Sequence, residues 1–84
     1  MFDKLHVQMS AETFLDAIDA AVEAQDRAAL AALGKVAFYR RNLSWQAAVR
    51  HADNFVVACL TGNETLREAC EINARALVPA IRAS

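Results

Sequence analysis

Residues 44–60 read SWQAAVRHADNFVVACL. Trp45, Ala48, Val49, Ala52, Phe55, Val56, Cys59 and Leu60 recur at the spacing of one face of an α-helix, without a miss. The TGN that follows supplies a stop at Gly62 and a fresh helix cap at Asn63. Opposite the stripe lie Ala47, Arg50, Asn54, Val57, Ala58 and Thr61, and only Arg50 among them is charged. A helix facing water displays several charges on that side. This helix is therefore expected either at the centre of a bundle or under the cover of a second chain.

The flanking sequence repeats the helical pattern. Ser10 is placed to cap a helix over about 11–25, with Phe14, Leu15, Ile18 and Val22 on one face and Ala21 beside them. Asp26 caps a second, DRAALAALGKVAFYRR, expected over about 27–41 and burying Leu30, Leu33 and Ala37. Gly34 marks a weak point in it or a close approach to a neighbour. The third helix spans about 44–61, and a fourth, about 63–82, carries Leu66, Cys70, Leu77 and Ile81 as its apolar stripe. Pro79 ends or bends that helix near its last turn, because proline lacks the amide donor and clashes with the preceding turn. Short connections favour antiparallel neighbours. The expectation is an all-α chain, a compact antiparallel four-helix bundle forming one domain over 1–84. A short extended arm or strand over 1–9 precedes it, where Leu5, Val7 and Met9 alternate with Lys4, His6 and Gln8.

Composition bounds the function. Apolar residues make up 56% of the 84 and charged residues 23%, which fits a folded domain and argues against disorder. Much of the apolar fraction is Ala, so the core is thin and association with a second copy is expected, a homodimer being the simplest form. The formal net charge of −1 gives no general basic surface for nucleic acid or for anionic membranes. No apolar run spans a bilayer, and MFDKLHVQMS lacks the blocks of a secretory signal. Cys59 and Cys70 sit on helical stripes rather than in a metal or disulfide pattern, so a reduced, cytoplasmic setting follows.

Chemistry-bearing residues do not assemble into a catalytic set, and no enzyme, metal or cofactor is expected. Glu12, Asp16, Asp19 and Glu23 form a row on the first helix, whereas metal sites need ligands converging from several directions. His6 and His51 have no partner at zinc-ligand spacing. Basic and aromatic residues gather instead at Phe38, Tyr39, Arg40 and Arg41, with Lys35 one turn earlier, a composition common at protein interfaces. Val57, Ile72 and Val78 point away from their own stripes and suggest a second buried surface. Tyr39, Arg40, Arg41, Val57 and Ile72 are accordingly the candidate partner-binding residues of a protein-binding adaptor, inhibitor or regulator. Asn73 falls within the apolar stripe of the fourth helix. There it would need a hydrogen-bond partner such as His51 or Asp53 or a buried water, would face a matching amide across an oligomer and fix its register, or would be exposed by rotation of the bundle or by partner binding. A small-ligand pocket around Phe55 and Asn73 is a further possibility.

The first 33 residues resemble the ribbon-helix-helix family of dimeric DNA-binding regulators: LHVQMSAETFLDAIDAAVEA is similar to that family's strand and first helix. The resemblance implies an alternative function, with Lys4, His6 and Gln8 facing the major groove from a two-stranded ribbon. The second helix opens with DRAAL, without the small and hydroxyl residues that the family usually sets against phosphate. The acidic row also follows the ribbon directly, which is unfavourable beside DNA.

Overall fold

The computed structural model describes residues 9–84, so the strand reading over 1–9 and the candidate DNA-reading residues Lys4, His6 and Gln8 lie outside or at the edge of the described chain. It is an antiparallel four-helix bundle: α1 (Ala11–Glu23), α2 (Arg27–Arg40), α3 (Leu43–Thr61) and α4 (Glu64–Ala76), with a short α5 (Val78–Arg82) continuing from α4. The described residues contain no strand.

Each of α1 to α4 begins where a side chain can satisfy its first free amides, whereas α5 has no side-chain cap. Ser10 Oγ accepts from the Thr13 amide, Asp26 Oδ1 from Ala29, and Asn63 Oδ1 from Leu66. At α3 the cap is Asn42: its Oδ1 accepts from the amides of both Ser44 and Trp45, so the helix starts at Leu43, one residue before the expected place. Gly62 ends α3 in the left-handed conformation (φ 71°). Pro79 lies in the first turn of α5 and splits the expected fourth helix at Leu77, because it has no amide to continue the ladder.

α3 is the hub, packing against every other helix. Of its nearly uncharged outer side, Ala58 is buried and Ala47 and Val57 are half-buried, while Arg50, Asn54 and Thr61 remain exposed. At its base Trp45 is fully buried. Its ring stacks on Phe14 with centroids 4.0 Å apart, its Nε1 donates to Ser84 Oγ at 2.9 Å, and the Arg40 guanidinium lies 4.1 Å over it. Four segments therefore meet on one indole.

Four residues depart from the sequence expectation for one reason. α1 ends at Glu23 beside Phe55, and α2 begins at Arg27, tied to Asp53. The last turns of α3 run past both helices. Leu60, on the expected stripe, is consequently 60% exposed, while Ala58, expected outside, is buried where the chain turns back into α4. With only α3 to face at that end, α4 turns Arg67, Cys70, Glu71 and Ala74 inward. That rotation brings Leu66 to the surface and makes Asn73 exposed rather than buried. Asn73 hydrogen-bonds to neither His51 nor Asp53, and Asp53 is held by Arg27 instead. Within one chain Asn73 is therefore a surface residue, not the buried member of an intrachain network.

Candidate functional site

α2 is apolar almost all round, RAALAALGKVAFYR, and only one side of it enters the core. Leu30, Leu33, Val36 and Ala37 are buried, while Ala28, Ala31, Ala32, Phe38 and Tyr39 remain exposed. A helix of that composition is ordinarily covered on both sides.

Between the exposed side of α2 and the flank of α3 runs an open groove of about 630 Å³. Leu30, Gly34 and Val49 form its floor, with Ala31 and Phe38 along one wall and Gln46 and Arg50 along the other. One end is closed by the bidentate pair of Arg27 and Asp53, at 2.9 and 3.1 Å. The hydrogen bond from Arg27 holds the Asp53 carboxyl below the usual carboxylate range, against a smaller opposing effect of its partial burial. The other end opens onto Phe38, Tyr39, Arg41 and Leu43, where Leu43 is 81% and Phe38 66% exposed and the two aromatic rings meet edge to face.

α2 continues through Gly34 without a break. A Cβ there would meet only Val49 Cγ1, at an ordinary 3.7 Å. Gly34 is thus not forced by close packing, and its absent side chain leaves the floor of the groove deep.

The candidate partner-binding residues separate by location. Tyr39 and Arg41 lie together on the exposed elbow between α2 and α3. Arg40 turns inward, covering Trp45 and donating to the Met9 carbonyl at 3.1 Å, which fastens the start of α1. Ile72 stands 65% exposed on α4, and Val57 is half-buried on α3, so neither joins the elbow. The groove itself was not anticipated from sequence; Gly34 within an otherwise continuous helix is the one local sign of it.

A second, smaller cleft of about 290 Å³ lies between α1 and α4 over Phe55 and Cys70. It is the place expected for a small ligand near Phe55, but Asn73 does not line it. Asp19 and Glu23 border one side, and Glu71, bonded to Arg75 at 2.8 Å, the other. The acidic row remains a row: Glu12 pairs with Arg82, and among the described residues no group of His, Cys, Asp or Glu converges as metal ligands would. None of the described helices is long and apolar enough to cross a membrane.

Comparison with known protein families, characterised proteins and solved structures gives no match.

Proposed function

We propose that this chain is a non-enzymatic protein-binding module that adapts, inhibits or regulates another protein and itself self-associates. The observation that carries the reading is the uncovered apolar side of α2 with the exposed elbow of Phe38, Tyr39 and Leu43, an arrangement that marks interaction surfaces on small soluble domains. Ser10, Asp26, Asn42 and Asn63 are engaged in helix caps and Arg27, Asp53, Glu64, Arg67, Glu71, Arg75, Glu12 and Arg82 in surface ion pairs, which supports a scaffold presenting a surface. Self-association is supported by separate apolar exposure at Leu60 and Ile72 on the hairpin of α3 and α4.

The test is cross-linking mass spectrometry in the native host, comparing the wild type with Phe38→Glu/Leu43→Glu. Cross-links from Lys35 to one specific protein that disappear in the variant are expected. A partner profile unchanged by the double substitution would remove the elbow from the reading.

A further inference from the structure

The charges around the groove indicate what enters it. Arg27 and Asp53 neutralise each other at one end. Arg50 lines the groove, Arg41 lines the elbow at its open end, and Lys35 follows Gly34 on α2; none of the three carries an ion pair among the described residues, and all are exposed. No unpaired carboxylate lines the groove. An apolar floor bounded by unopposed cations attracts a ligand that is apolar on one side and anionic along its edges. The floor follows α2 from Arg27 to Phe38, roughly 16 Å at 1.5 Å per residue, which matches about three turns of a second helix.

The chain's own acidic faces make poor occupants. α1 turns Asp16, Asp19 and Glu23 outward with no large apolar side chain exposed beside them. α4 exposes Leu66 and Ile72, but they stand about 120° apart around the helix and cannot enter one groove together. Gly34 adds a further reason. Glycine inside a helix costs about 1 kcal/mol relative to alanine, and here an alanine Cβ would fit without a clash. A stability cost without a packing reason is expected at a functional surface.

We propose that the groove between α2 and α3 is the docking site for an acidic amphipathic helix of a partner protein. The proposal rests on the protein-binding reading and gives the partner its chemistry. Leucine-type anchors at helical spacing seat over Leu30, Gly34 and Val49, and flanking carboxylates meet Lys35, Arg41 and Arg50. Recognition by rim charges makes binding faster at low salt and weaker as salt rises.

The experiment uses isotope-labelled full chain and three synthetic amphipathic peptides of about four turns with the same Leu anchors. Their polar faces carry Glu, Gln or Lys. Amide shifts are followed by two-dimensional NMR, and affinities come from the titrations. The Glu peptide is expected to bind saturably, with shifts concentrated at Gly34, Gln46, Val49 and Arg50. Ala31→Glu and Arg50→Glu, both at exposed positions, should each weaken it about tenfold or more, while Arg50→Glu should strengthen the Lys peptide. Equal binding of all three peptides would overturn the acidic assignment and leave a protein-binding groove. No shift at the groove with any peptide would overturn the docking site, while self-association measured separately would still bear on the broader reading. Concentration-dependent shifts of the same amides without peptide would assign the groove to a second copy. Tighter, saturable shifts with duplex DNA would overturn both readings.

Discussion

Asn73 shows how one residue can mislead when a helix is read alone. Its place between Cys70 and Leu77 puts a carboxamide among apolar neighbours in sequence, yet in the bundle it faces water and makes no hydrogen bond to the described residues. Asn73→Leu should therefore change unfolding free energy by no more than about 0.5 kcal/mol, as at other featureless surface sites. A loss of several kcal/mol in urea denaturation would show a buried role that the fold does not give it. Trp45 is the opposite case. It is fully buried, and its stacking, hydrogen bond and cation–π contact join α1, α2, α3 and the end of the chain. Trp45→Ala should cost about 3–5 kcal/mol. A domain of this length has only about 4–12 kcal/mol to lose. The variant is expected to be largely unfolded by circular dichroism at 37 °C, and a cooperative transition with near-native midpoint would contradict that placement.

Elements were legible wherever their signals are local. Ser10, Asp26 and Asn63 cap their helices as read, Gly62 stops α3, and Pro79 interrupts the fourth helix. What escaped depends on where one helix ends relative to another. Nothing near Leu60 states that α1 and α2 have already stopped at that level, and the groove exists only once α2 lies against α3. The two glycines make a paired test of this distinction. Gly34→Ala sits in a continuous helix with room for a methyl group and should stabilise the protein by about 0.5–1 kcal/mol. Gly62→Ala has equal room, but its left-handed backbone disfavours any Cβ, and it should destabilise by about 1 kcal/mol. Equal effects in parallel urea titrations would mean that backbone conformation does not distinguish the sites. The link between α2 and α3 adds a pH dependence. Arg27 depresses the Asp53 pKa in the folded chain, so the pair contributes stability above the carboxyl's unfolded pKa. That contribution is lost as pH falls through the lower folded value. The difference in stability between wild type and Asp53→Asn should shrink across the acidic range, and a difference independent of pH would show that the pair contributes nothing.

At the scale of the whole molecule, charge is segregated although the net value is only −1. Arg50 at the groove, Arg41 at the elbow and Lys35 on α2 have no ion pair among the described residues, nor do the carboxylates Asp16, Asp19 and Glu23 along α1. The hairpin of α3 and α4 extends the particle to 40 Å in a body only 17 Å thick, carrying Leu60 and Ile72 into solvent. A thin, elongated domain with an Ala-rich core has little interior from which to draw stability, and covering these side chains with a second copy would supplement it. Sedimentation equilibrium at micromolar concentration should therefore show a dimer or higher state. Leu60→Glu/Ile72→Glu should lower the mass to that of the monomer while leaving helical circular dichroism intact, because both positions are outside the core. The self-association should also persist in moderate salt, since apolar burial strengthens rather than weakens as salt rises, whereas peptide capture at the basic groove should decline over the same range. If instead the assembly dissolved with salt and ignored the Leu60 and Ile72 substitutions, the α1 carboxylates of one copy would be meeting the α2–α3 cations of another. Such a head-to-tail contact leaves unused faces at both ends and grows with concentration rather than stopping at two. A sharp, salt-resistant dimer and an open, salt-sensitive series are thus separable in one set of runs, and only the first agrees with association through the hairpin.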